Sequence, residues 1–139
     1  MLFAKVTAAC CSLKSASAVY INDVLVQKDF YINAASLIKE NELPLDCWIW
    51  FGIHKTKKGY SAYTYGLEAF GKDELEGLDA DCDPNQLRNF LYDVAENIIK
   101  NDLTFKDGDI IGFSAEDEHA ITRSEGVALR GLQTLKIEY

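Results

Sequence analysis

The sequence predicts an α+β fold, with an antiparallel or mixed sheet of about five strands packed with about three helices. Three observations lead there. Residues 46–67 read DCWIWFGIHKTKKGYSAYTYGL, two aromatic, β-forming runs around Lys55-Thr56-Lys57-Lys58-Gly59, which is the pattern of a β-hairpin with a glycine free to take positive φ. Residues 84–100 place Leu87, Phe90, Leu91, Val94, Ala95 and Ile98 on one stripe, the period of an amphipathic helix. Strands come in hairpins and helices do not alternate with them, which argues against a doubly wound sheet.

The elements follow in order. Residues 2–16 carry Leu2, Phe3, Val6, Ala9, Cys10 and Leu13 at helical spacing, with no capping residue ahead of them. That uncapped start fits a chain cut from something longer. Ala18-Val19-Tyr20-Ile21 is a short strand, Asn22-Asp23 a turn, and Val24-Leu25-Val26 extended or irregular. Lys28-Asp29 opens a second helix with Phe30, Ala34, Leu37 and Ile38 on one face, Asp29 as its cap, Asn41 as its end and Pro44 as a barrier beyond.

On the hairpin, period-two alternation puts Trp48, Trp50, Gly52 and His54 on one face of the first strand, and Tyr63 and Tyr65 together on the return strand. Neither face is polar, so both are expected to be covered. Glu68-Ala69-Phe70-Gly71 reads as a turn and DELEGLDA at 73–80 as a third, more exposed strand. Asp83 caps the long helix and Pro84 takes its first position, where a missing N–H costs nothing. Lys106-Asp107-Gly108-Asp109 is a turn and Ile110-Ile111-Gly112-Phe113 a strand. Glu116-Asp117-Glu118-His119 reads as a polar loop, residues 120–126 are ambiguous, and residues 135–139 alternate as a final strand.

Length and charge narrow the function classes. The chain's 139 residues are the size of a single domain spanning 1–139, and its 48% hydrophobic content supplies one core. A net charge of −8 with no basic stripe disfavours nucleic-acid binding. No run approaches the roughly 20 apolar residues of a membrane span, so no membrane partner is expected. The N-terminus lacks the charged segment of a secretory signal, and Cys10, Cys11, Cys47 and Cys82 form no CxxC pair, so the expectation is a cytoplasmic protein with free thiols.

No motif completes a catalytic set, and no cofactor or metal is expected. Asp79, Asp81 and Asp83 open like a calcium loop, but Pro84 follows where the loop would need its glycine and later glutamate. His54 and His119 have no further ligands at metal-binding spacing. Ser124 is not in a G-x-S-x-G elbow, and the acids beside Cys82 disfavour a thiolate. What remains is aromatic surface: Trp48, Trp50, Tyr63 and Tyr65 are the candidate binding residues, with plain core beneath a helix as the alternative. The reading is a non-enzymatic interaction domain, of immunity type in one version, meeting a protein partner or a second copy. The rival is a small-molecule enzyme using a histidine with a nearby carboxylate.

Several pieces resemble a bacterial family known only as domain of unknown function 4261. They are Ala18-Val19-Tyr20-Ile21, the aromatic strand leading to Tyr65-Gly66-Leu67, and Phe70-Gly71 with the acids after it. The helix around Leu87, Phe90, Leu91 and Tyr92, Lys106-Asp107-Gly108-Asp109, and Ile111-Gly112 complete the set. Ile21 stands where such proteins often have Trp. The resemblance implies a bacterial domain matching the C-terminal part of longer proteins, with one hairpin face meeting an absent N-terminal half. It transfers no activity and no catalytic residue.

Overall fold

The computed structural model describes residues 1–114 and 117–139, with backbone alone at Phe113 and Asp117. Two compact units divide the chain, Met1–Trp50 and Phe51–Tyr139.

The first unit opens with helix α1 (Leu2–Cys11), followed by strands β1 (Ala18–Ile21) and β2 (Val24–Gln27). Asn22 and Asp23 both take positive φ, 49° and 58°, the twist that joins two strands through a two-residue turn. Ala18 pairs with Gln27 and Ile21 with Val24, so the segment expected as extended or irregular is the second strand of an antiparallel hairpin. Helix α2 (Lys28–Ser36) continues into a 3-10 turn over Leu37–Glu40 and ends at Asn41 in the left-handed region, as expected. Asp29 is not its cap. The cap position is Gln27, which makes no side-chain bond there, and Asp29 sits in the first turn, where a carboxylate still suits the helix dipole.

Which faces these helices bury differs from the expected pattern. On α2, Phe30 is exposed while Tyr31, Ala34 and Ala35 are buried. On α1, Ala4 and Cys11 are buried, with Ala8 packed beside them against the same core, which also takes in Val26 and Cys47. Small side chains on both helices let the backbones approach closely, and the larger apolar stripe of α1 is left facing outward.

The second unit is built on a mixed six-stranded sheet, one strand more than expected. Its strands are β3 (Trp50–Lys55, beginning on the last residue of the first unit), β4 (Tyr60–Tyr65), β5 (Glu74–Ala80), β6 (Ile110–Ser114), β7 (Asp117–Glu125) and β8 (Gln133–Ile137). Their order is β3-β4-β5-β8-β7-β6. β5 and β8 run parallel, whereas β4–β5, β7–β8 and β6–β7 are antiparallel. The additional strand is β7: it absorbs residues 120–125 of the ambiguous stretch and residues 117–119 of the expected polar loop, while Glu116 lies outside the described residues.

Helix α3 (Pro84–Lys100) has the expected bounds. The Asp83 side chain accepts from the Asn85 N–H at 2.9 Å, and Leu87, Leu91, Val94, Ala95 and Ile98 are buried. The helix packs on β4 and β5, where Gly77 makes room for it: a Cβ there would meet Leu87 Cδ1 at 3.0 Å. Gly77 and Leu75 therefore mark the helix side of β5, and alternation turns Glu74 and Glu76 to the other side. The strand expected to be exposed is in fact central and buried, because it is hydrogen-bonded to β4 and β8 on both edges. The pairing Tyr63–Glu76–Lys136–Thr122 runs as one row across β4, β5, β8 and β7 on the side away from α3.

Candidate functional site

The two glutamates on β5 organise the second unit's polar side. Glu74 and Glu76 are 3% and 0% exposed, and a buried carboxylate is tolerated only when its lone pairs are filled. Glu74 Oε1 accepts from the Gly66 and Glu68 N–H groups at 2.7 and 3.2 Å, and Oε2 accepts from the Thr64 hydroxyl at 2.7 Å. This ties the 3-10 turn over Leu67–Phe70 to the sheet. Glu76 accepts from the N–H groups of Val127 (3.0 Å to each oxygen) and Ala128 (2.8 Å), and from the Thr134 hydroxyl at 3.0 Å. Lys136 Nζ stands 3.5 Å from Glu76 Oε2 and donates to the Ser124 and Glu125 carbonyls and to Thr134 Oγ1. Burial alone pushes the Glu76 carboxyl up. The amide donors, the Thr134 hydroxyl and Lys136 outweigh it and hold the group below its ordinary value.

Between the two tied loops lies a cleft of about 220 Å³, lined by Glu68, Lys72, Asp73, Arg123 and Gln133 among others. Its cations are already matched. Arg123 donates through Nε and one terminal nitrogen to the two oxygens of Asp73, at 2.7 and 3.2 Å. Lys72 donates to Asp102 at 2.6 Å and to Thr104 at 3.3 Å. Internal pairing of this kind fixes loops together rather than presenting a net charge to a ligand.

The histidines stand apart from such a site. His119, on β7, lies in an aromatic cluster with Phe90 and Tyr139, with ring centroids 4.6 and 5.9 Å away. Its Nδ1 is 2.6 Å from the Glu138 carbonyl, an acceptor only, so that nitrogen carries the proton. His54 is exposed on β3, its ring 6.4 Å from that of Tyr63. Asp83 caps α3, and Asp79 lies 3.9 Å from Lys58 Nζ. Among the described residues, no group of three or more His, Cys, Asp or Glu is placed to hold a metal ion.

The four aromatics singled out from sequence are distributed over both units. Trp48 is not on the strand. It follows a 3-10 turn over Leu45–Cys47 and packs on the core of the first unit, where its carbonyl accepts from Asn22 Nδ2 at 3.0 Å. Trp50 begins β3 and is 38% exposed. Tyr63 and Tyr65 are half-buried on one side of β4, and the Tyr63 ring covers Gly52 so closely that a methyl there would run into it.

The surface that sequence reasoning did not single out is in the first unit. Leu2, Phe3 and Val6 are 76%, 62% and 55% exposed, so the apolar stripe of α1 faces solvent, and Leu13, just past the end of the helix, is 61% exposed. Beside it, sharing Ala9, a groove of about 460 Å³ runs between α1 and α2. Ala8, Ala9 and Ala35 line it together with Ile32 and Ile38, and Lys5 and Lys39 stand at its rim. The signal was present in the sequence as the small pairs Ala8-Ala9 and Ala34-Ala35, which permit close helix packing and so decide which stripe is spent on it.

No curated protein and no solved structure matches this chain. A family model described as Domain of unknown function (DUF4261) matches residues 63–138. That stretch takes in the second half of β4, β5 through β8, both buried glutamates and α3, and most of the pieces that carried the resemblance; Ala18-Val19-Tyr20-Ile21, the whole first unit and the rest of β3 and β4 precede it. The match covers more than half of the sequence, and the chain belongs to the DUF4261 family.

Proposed function

We propose that this chain is a cytoplasmic protein-interaction domain whose apolar surface meets another domain or chain. One observation carries the reading: α1 exposes its larger apolar stripe, Leu2, Phe3 and Val6, and buries its smaller one, with Leu13 exposed just beyond its end. Contiguous apolar surface of this kind costs solubility and is characteristic of interaction sites. Exposed Tyr20, Leu25 and Phe30 extend the apolar character of the same unit. Trp50, Tyr63 and Tyr65 add aromatic surface of the type enriched at binding hot spots.

The test uses the whole chain beside a triple variant, Leu2→Ser, Phe3→Ser and Val6→Ser, whose helix content is checked by circular dichroism. Light scattering over a concentration series and binding to synthetic amphipathic helices are measured on both. The expected result is self-association or helix binding by the parent chain, lost in the variant. A parent chain that stays monomeric at high concentration and binds no helix overturns the proposal.

A further inference from the structure

We infer that the groove between α1 and α2 takes an amphipathic helix from a partner protein, one whose apolar stripe is flanked by acidic side chains. The inference rests on the interaction reading above and names the chemistry of the partner.

Shape comes first. The groove is lined by Ala8, Ala9, Ala35, Ser12 and Ser36, with Ile32 and Ile38 for apolar contact. Small side chains along a helix pair allow a third helix to approach to the roughly 8–10 Å that helix packing requires. The open volume is about 460 Å³, and the stripe of α1 continues the apolar surface past Ala9. Leu2, Val6 and Ala9 follow one another along α1 at spacings of four and three, the spacing of a coiled-coil seam.

Charge selects the occupant. Every charged side chain lining the groove is a lysine, Lys5 and Lys39, and among the described residues neither is paired with an acid. In helix–helix seams the charges flanking the apolar stripe set partner choice, so glutamates or aspartates on the incoming helix complete this one. A second copy fits worse: Lys5 is the only charged residue of α1, and docking α1 into another molecule's groove sets lysine against lysine. An anionic membrane fits worse as well, because the chain carries a net charge of −8 and the groove is concave rather than wedge-shaped.

The experiment measures binding of the full chain to two labelled synthetic helices of about three heptads, alike in having leucine at a and d. One has glutamate at e and g and the other has lysine. The whole-chain charge predicts tighter binding of the lysine helix, so the two explanations give opposite orders. The expected result is the glutamate helix binding at least about fivefold tighter than its twin. Lys5→Glu with Lys39→Glu, two exposed positions, should reverse that order without loss of helix content. Equal binding of both helices overturns the acidic-partner inference and leaves the interaction reading standing. A dimer that binds neither helix and dissociates in the triple serine variant makes the occupant a second copy, with the same consequence. Binding only to vesicles of mixed neutral and anionic lipid overturns both, as does a monomer that binds nothing.

Discussion

Glu76 and Val127, 51 residues apart in sequence, are joined by hydrogen bonds of 3.0 Å from one backbone N–H to both oxygens of a fully buried carboxylate. With Ala128, Thr134 and Lys136 completing the shell, this carboxylate anchors the loop between β7 and β8 to the centre of the sheet. Glu76→Gln replaces two acceptor oxygens with one and leaves Lys136 without its counter-charge. A loss of about 2–4 kcal/mol is expected from such a change at a buried, charge-assisted site. Urea unfolding measures it, and a cost below about 0.5 kcal/mol, the usual size of a neutral surface change, would show that the loop is held by something else.

The same shell predicts an acid limb. The Glu76 carboxyl lies below its ordinary value of 4.5 in the folded chain, so the unfolded chain binds its proton first as pH falls. The stabilising contribution is therefore complete above about pH 4.5 and lost below it, as pH drops through the folded value. Stability measured between pH 6 and pH 3 should fall in the parent chain, and the fall should be shallower in Glu76→Gln. Parallel pH profiles for the two proteins would remove Glu76 from the account.

Gly52 and Tyr63 face each other across β3 and β4. A methyl added at Gly52 would collide with the tip of the Tyr63 ring, its Cζ, Cε1 and hydroxyl oxygen, so the ring would have to shift off the strand. Gly52→Ala should cost about 1–3 kcal/mol by overpacking. Tyr63→Ala removes the ring, so the double variant should recover part of that cost, with a coupling of roughly 1 kcal/mol or more in a double-mutant cycle. Strict additivity would mean that the ring does not rest on Gly52.

The parts of the fold legible in sequence were those set by local chemistry. Asp83-Pro84 fixed the start of α3, and its stripe fixed the buried face; Asn22-Asp23 marked a turn because both residues tolerate positive φ. What failed depended on distant partners. Glu74 and Glu76 alternate with Leu75 and Gly77, which ordinarily means acids toward water, and the amide and hydroxyl donors of the end of β4 and the turn before β5, and of the remote β7–β8 segment, reverse that. Periodicity located the stripes of α1 but not which one faces inward, since Ala4, Ala8 and Cys11 are a poorer hydrophobic face that happens to fit Ala34 and Ala35. Trp48 looks like strand, yet the 3-10 turn over Leu45–Cys47 ends on it and takes it off the sheet. Of the candidate site, the aromatics were visible and the groove was not, because a groove is a relation between two helices.

The four thiols should react in an order set by exposure and by their surroundings. Cys10 is exposed, whereas Cys11 and Cys47 are buried. Burial pushes the Cys47 thiol up to about 11, and burial together with Cys10 raises that of Cys11. Cys82 is half-buried, and burial and the neighbouring Asp83 raise it as well. Alkylation of the native chain at pH 8, followed by peptide mass mapping, should label Cys10 first, Cys82 next, and Cys11 and Cys47 only on unfolding. Equal labelling of Cys47 and Cys10 in the folded chain would refute the packing of the first unit's core.

Tyr31 gives the sharpest test of that core. Its side chain is wholly buried among Ala4, Cys11 and Cys47, and its hydroxyl is the one buried side-chain polar atom that makes no hydrogen bond of full geometry among the described residues, although the Thr7 and Cys47 side chains lie close enough to act on it. A buried hydroxyl that loses water and gains only such imperfect contacts opposes folding, so Tyr31→Phe should leave stability unchanged or raise it by up to about 1 kcal/mol. Burial, reinforced by the Cys47 thiol, pushes the phenol from 10 up to about 12. A raised value means that its share of stability is intact below pH 10 and is lost as pH rises above that, toward the folded value. Cys47, shifted from 9 to about 11, begins the same loss near pH 9. The variant should therefore follow the parent between pH 9 and 10 and outlast it above pH 10. Thermal unfolding across that range separates the two groups, and a Tyr31→Phe chain less stable than the parent by about 1 kcal/mol or more at pH 7 would mean that the hydroxyl has a partner after all.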